Sequence, residues 1–208
     1  MPDSEEAGAI KKTGIPMAVT LNQFNSNNNP NISYIIDYEL TEDGYYSDEP
    51  VSLALAKQYC RVLTGTAEDD LINLFISSAR LAVERFTGLS LVPKAAQVLL
   101  FAPQAGFEVP FGPVTDTITW VDQGATTSNM ETIGFEFPKT LTPYSIVTTA
   151  TYTCGYAAGE VPKELQNAIL FQTNFLYENR GDNNDTGTLC KAAANLARKY
   201  SRINALFQ

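Results

Sequence analysis

Apolar positions recur at three- and four-residue spacing along Ser-Leu-Ala-Leu-Ala-Lys-Gln-Tyr-Cys-Arg-Val-Leu (52–63), where Leu55, Tyr59, Val62 and Leu63 line one side. Ser52 stands where an N-cap belongs, and the pattern predicts a helix over 52–63. A longer helix follows Thr64-Gly65-Thr66. Leu71, Ile72, Phe75, Ile76, Ala79, Ala82, Val83 and Phe86 draw a broad apolar stripe, and Gly88 supplies a left-handed stop. Thr66 and Asp69 have the spacing of a capping box, and Glu68, Asp69 and Asp70 place negative charge on the positive end of the helix dipole. The two helices are expected to form an αα-hairpin.

The period then changes. Pro93, Pro103, Pro110, Pro113, Pro138 and Pro143 break any helix across 91–155, while QVLLF, TITWV, TIGFEF and SIVTTATYTCGY are short and rich in Thr, Val, Ile and aromatic residues. In the last of these Ile146, Thr148, Ala150, Tyr152 and Cys154 share one face, and Val147, Thr149, Thr151 and Thr153 the other. Asp122-Gln123-Gly124 reads as a hairpin turn, with Gly124 at positive φ. Helical spacing returns after Pro162 with Leu165, Ala168, Ile169, Phe171, Gln172, Phe175 and Leu176, a run apolar around most of its circumference that should be buried on more than one side. GDNNDTGT ends it. A last helix, from about Leu189 to the C-terminus, pairs an apolar set (Leu189, Ala193, Leu196, Tyr200, Ile203, Phe207) with a basic one (Lys191, Arg198, Lys199, Arg202).

The first fifty residues differ from the rest. NQFNSNNNPN (22–31) favours a loose arm, and SYIIDYEL (33–40) has the character of one strand or of a segment that docks on a neighbour. The pattern divides the chain into a partly extended arm (1–50), a helical hairpin (51–90), a β insertion (91–157), a core helix (158–185) and a basic amphipathic helix (186–208). The expected fold class is α+β: mainly a bundle of four helices, with a small antiparallel β-sheet inserted between the second and third helices.

Composition removes more chemistry than it adds. The 208 residues contain no histidine, so Ser-His-Asp and Cys-His relays, HExxH metal sites and neutral-pH imidazole shuttles are excluded. No GxxxxGK[ST], GxGxxG or GxSxG is present. Cys60, Cys154 and Cys190 are widely spaced and read as buried thiols, neither a disulfide framework nor a zinc site. A carboxylate hydrolase would have to use Glu108, Asp116 and Asp122, which fall at turns and strand ends as solvating acids do. No cofactor, metal or catalytic residue is expected. No run is long and apolar enough for a membrane span, and the acidic, polar MPDSEEAGAIKK is unlike a secretory signal, so a soluble, cytoplasmically made chain is expected.

Charge is uneven: nine acids against two bases in 1–50, fourteen against eight in 51–185, and no acid against four bases in 186–208, within a net charge of -9. Duplex affinity comes mainly from neutralising phosphates, so such a chain is not an ordinary DNA binder.

Four stretches carry a family resemblance. LALAKQYCRV, followed by an acidic Asp-Asp and INLFISSARLAVERFTGLSLV; FEVPFGPVTDTITWVD; VTTATYTCGY; and VPKELQNAILFQTNFLYENRG, with its Pro162, Leu165, Ala168 and terminal Tyr177-Glu178-x-Arg180, together resemble the head-tail connector (adaptor) proteins of tailed bacteriophages. The match spans about residues 51–181; the N-terminal arm is extra and the last basic helix does not align by motif. The resemblance implies a non-enzymatic virion protein of the neck, a homo-oligomeric ring, commonly of twelve subunits. Such a ring docks on the portal protein, extends the DNA channel used in packaging and ejection, and receives a downstream neck or tail protein. Double-stranded DNA would pass without specific binding, and no membrane is involved. A tail-completion or tail-terminator ring is the alternative, expected to carry more sheet and less helix.

Two clusters then stand out as sites. Tyr177, Glu178 and Arg180 close a core helix, and Arg180 is positioned to pair with a carboxylate from another helix, with Glu84 the expected partner; an exposed cluster of helix-end charges is the other reading. In the last helix Lys191, Leu196, Arg198, Lys199, Tyr200, Arg202, Ile203 and Phe207 either insert into an acidic, partly apolar groove of the portal or make an amphipathic core helix with a solvated charged face.

Overall fold

The structure, a computed structural model, describes residues 34–42, 49–62, 65–101, 103–125, 128–141, 147–180 and 189–202. The asparagine-rich tract and the candidate docking residues Ile203 and Phe207 lie outside them.

Helix α1 (Leu53–Tyr59) starts where Ser52 Oγ accepts from Leu55 N. It ends at Cys60, before Arg61 takes a positive φ of 61°. Helix α2 (Asp69–Thr87) ends on Gly88 at φ 73°, whose N–H returns to the Glu84 carbonyl. At its start the expected Thr66 side-chain cap is not made: the N-cap is Glu68, with no side-chain cap bond, and the Thr66 carbonyl accepts from Asp69 N. The acids of this first turn serve other helices, Asp69 accepting from Lys57 on α1 at 2.5 Å and Glu68 from the end of the third helix.

Helix α3 (Lys163–Glu178) packs between α2 and α4 (Lys191–Ala197) and also meets α1, as a helix apolar on most sides requires. Fully buried Leu165, Ala168 and Ile169 belong to one helical core with Ile72, Ile76, Ala79, Val83, Ala193 and Ala197. Alanine at 193 and 197 lets α4 approach α3 closely, and the buried Gln172 on α3 accepts from Cys190 N at 2.8 Å, fixing where α4 begins. The final helix is shorter than its apolar spacing predicts. After Ala197 come one 3-10 turn (Arg198–Tyr200) and an extended Ser201. The end of α2 competes for the chain here: the Thr87 carbonyl accepts from Arg202 N at 2.6 Å, and the Phe86 carbonyl from Ser201 Oγ.

The main sheet joins β1 (Tyr34–Glu42), β2 (Lys94–Phe101), β3 (Thr119–Asp122) and β6 (Val147–Cys154) in the order β1-β2-β6-β3, all antiparallel. A second, two-stranded sheet pairs β4 (Thr132–Ile133) with β5 (Lys139–Thr140). Alternation sets the buried face: Ala96, Val98 and Leu100 on β2 and Thr148, Ala150, Tyr152 and Cys154 on β6 point inward, with Trp120 from β3. Phe107, Val109 and Met130 complete this second core.

The expected mainly helical bundle carrying a small inserted sheet is therefore corrected. The sheet is a layer with its own core, and its edge strand β1 comes from residues ahead of the first helix, so the sheet is not confined to a span between the second and third helices. The cause is the hydrogen-bonding demand of β2: eight residues long, it would present an open edge, and residues 34–42 satisfy that edge in a register running from Tyr34↔Phe101 to Glu42↔Lys94.

Candidate functional site

The helical and sheet layers meet at a buried cluster of charge. Glu84, in the last turn of α2, accepts from Leu91 N at 2.8 Å through one oxygen; its other oxygen accepts from Lys94 Nζ at 2.7 Å and Arg80 Nη1 at 3.2 Å. Arg80 also donates to Glu49 at 2.8 Å and to Glu42, at the end of β1, at 3.0 Å. One guanidinium thus clasps the acids on either side of residues 43–48. Burial opposes the charge on Arg80, but Glu84, Glu49 and Glu42 outweigh it and hold the group more firmly protonated than usual. Burial pushes the Glu42 carboxyl up, and the hydrogen bonds and charges of Arg80 and Lys94 overcome this, so it lies below the ordinary carboxylate range.

The expected pairing of Glu84 with Arg180 is consequently not made. Arg180 Nη1 donates to Glu68 at 2.9 Å, and Tyr177 Oη donates to the same carboxylate at 2.7 Å. The guanidinium also stacks over the Tyr177 ring, 4.4 Å from its centre. These bonds hold Glu68 below its usual range, the Tyr177 bond contributing most. Glu178 is exposed on the same helix end. The cluster joins the end of α3 to the start of α2, placing Arg180 and Glu68 on opposite dipole ends. Sequence spacing missed Glu68 because its neighbourhood reads as an ordinary acidic first turn.

The basic C-terminal segment divides. Lys191 and Arg198 are exposed, and Leu196 and Tyr200 are half-buried. Lys199 forms an ion pair with Glu164 on α3, which also accepts from Tyr200 Oη, and the two lower the Glu164 pKa, Lys199 more than Tyr200. Arg202 Nη1 lies 3.1 Å from both oxygens of buried Glu108, and its guanidinium stacks 3.8 Å from the centre of the Phe137 ring. Two of the four cations are thus turned onto acids of their own chain. The three carboxylates considered for hydrolysis have separate settings: Glu108 bridges β5 and holds Arg202, Asp116 accepts from the next backbone N–H in a loop, and buried Asp122 ends β3. Among the described residues no group of three His, Cys, Asp or Glu is placed to hold a metal, and no helix is long and apolar enough to cross a membrane.

Apolar side chains left at the surface form distinct patches. Tyr59 on α1 packs edge-to-face on Phe171 of α3, both partly exposed, with Leu55 one turn away. The β4–β5 hairpin carries Ile133 and Phe135, the latter 96% exposed. A third, concave patch lies between β1 and α2, where the Tyr38 and Phe111 rings meet at a tilt of 46° with centres 4.8 Å apart.

No protein-family model and no curated protein sequence matches the chain. Among solved structures it is similar to a chain from the neck of an empty gene transfer agent (GTA) particle, computed with C6 symmetry, at TM-score 0.59 and 19% identity over 78% of this chain and 95% of that one. It is also similar to chains of the virion of the native GTA particle (TM-score 0.57, 19% identity, 78% and 94% covered) and of the neck of the native particle computed with C12 symmetry (TM-score 0.53, 17% identity, 78% and 94% covered). Over 78% of its length the chain thus follows a fold found in the neck of these phage-like particles.

Proposed function

We propose that this chain is a structural, non-catalytic virion protein of a phage-type neck. Its copies form a ring, commonly of twelve, that sits under the portal, extends the DNA channel and joins head to tail. The observation that carries the reading is the fold match along 95% of a GTA neck chain. Exposed apolar patches on the helical face and on the β4–β5 hairpin support it, because a ring subunit has to bury such surface against identical neighbours. A net charge of -9 suits a channel wall that must not hold passing phosphates.

The portal contact is assigned to the exposed basic side of the C-terminal segment, led by Lys191 and Arg198, with Leu196, Lys199, Tyr200, Arg202, Ile203 and Phe207 as the remaining candidates. Deletion of 186–208 is a poor test, because Ala193 and Ala197 belong to the helical core. Lys191→Glu with Arg198→Glu leaves that core intact. Cryo-electron microscopy of the purified chain, alone and with portal protein, should show a ring that binds portal, and the double charge reversal should keep the ring and lose the portal. Solitary molecules under both conditions overturn the reading. A tail-terminator ring is the second reading, favoured by the sheet being larger than the adaptor pattern implies. It requires binding to a tail tube and none to portal.

A further inference from the structure

The β-rich layer carries two complementary surface features. Between β1 and α2 a groove of about 270 Å³ with mainly apolar exposed surface opens among Tyr38, Leu40, Leu81, Arg85, Leu89 and Phe111, with the Glu84–Lys94 pair in its wall. Leu81 is 38% exposed in its wall. For scale, an apolar cavity of about 150 Å³ holds a benzene ring, so an aromatic side chain fits. Beside Ile118 and Trp120 of the β3 region stands Phe135, 96% exposed at the tip of the β4–β5 hairpin. An aromatic ring left in water to that extent loses the whole of its burial energy.

Charge matches as shape does. Arg85, exposed at the groove, has no ion-pair partner among the described residues. Glu136, next to Phe135, is likewise exposed and outside those pairs. The two features are different patches of the subunit: Phe111 lines the groove, and the hairpin lies against the next residue, Gly112, through the Glu136 carbonyl and the Phe137 ring. Contacts between two different patches of a subunit are heterologous and propagate head to tail, closing into a ring when the rotation allows.

We infer that the occupant of the β1–α2 groove is Phe135 of a second copy of this chain, with Glu136 of that copy facing Arg85. The contact deepens the proposed ring and rests on that reading.

Sedimentation velocity of the full chain over a wide concentration range tests it, using wild type, Phe135→Ser, Leu81→Arg and their equimolar mixture. Both substitutions are at exposed positions, so the melting curve of each variant should match wild type. Wild type should associate and each variant alone should stay monomeric. The mixture should stop at heterodimers, because each variant keeps one intact surface. Variants that assemble like wild type, or a mixture that stays monomeric, overturn the groove assignment while leaving the ring reading standing. Wild type that is monomeric at every concentration removes both.

Discussion

Lys94 Nζ lies 2.7 Å from Glu84 Oε2 with both residues buried, 5% and 7% exposed, so the first residue of β2 is tied to the last turn of α2 inside the molecule. Arg80 joins the same carboxylate and extends the tie to β1 through Glu42. Helical and sheet layers, each with its own apolar core, are thereby tied to each other by charge.

Breaking this tie from one side leaves a buried charge poorly compensated, Lys94 keeping only Glu42 at 3.5 Å or Glu84 keeping only Arg80 at 3.2 Å. Glu84→Gln and Lys94→Met are each expected to cost about 3 kcal/mol in urea unfolding. The double variant Glu84→Gln with Lys94→Met should cost clearly less than the sum, since both charges of the pair are then removed. Strict additivity would show that the pair is not coupled.

Arg180 and Glu68 should be coupled, and Arg180 and Glu84 should not. In thermal melting, Arg180→Gln combined with Glu68→Gln should lower Tm by less than the two separate losses together, because both remove one contact. Arg180→Gln combined with Glu84→Gln should be additive. The reverse result would place the end of α3 elsewhere.

Acid should destabilise the fold through the same carboxylates. Glu68, Glu164 and Glu42 all lie below their ordinary value of 4.5 in the folded state. The unfolded chain therefore takes up protons first, so their contribution is complete above that value and is lost as pH falls through the lower folded values. Tm should be nearly flat from about pH 7 to 5.5 and fall from about pH 4.5 downward. Arg180→Gln and Lys199→Gln should flatten that fall. Stability that rises on acidification would contradict the assignment.

Gly155 sits at φ 111°, and a Cβ there would stand 2.1 Å from the Val92 carbonyl oxygen. The backbone is pinned by Gly155 N donating to Pro113 at 2.8 Å, so it cannot retreat cheaply. Gly155→Ala should cost at least about 3 kcal/mol in urea unfolding, combining strain and overlap. Gly124→Ala, at φ 81° with open space around it, should cost about 1 kcal/mol.

Much of the local structure was legible. The Ser52 cap, the Gly88 stop and the alternation of β6 each depend on residues within a few positions of one another, where spacing and backbone preference decide the outcome. Glu84 and Arg180 were legible as charged residues at helix ends but not as partners. A long side chain can choose among every opposite charge the fold brings within reach, and Lys94 and Glu68 became neighbours only after packing. The C-terminal helix failed for a related reason: its apolar period continues past Tyr200, yet carbonyls at the end of α2 draw Ser201 and Arg202 away.

By itself the order of residues determined the helical stripes, the change to strand period after Val92, the absence of imidazole chemistry and the uneven charge, all properties of composition and short-range spacing. Tertiary structure alone decided that residues 34–42 complete the sheet, that Arg80 clasps both ends of 43–48, and that a groove opens beside Leu81 while Phe135 stands exposed on the β4–β5 hairpin. Those outcomes rest on contacts between distant parts of the chain, and no local pattern encodes which of several compatible partners a strand edge or a buried charge will meet.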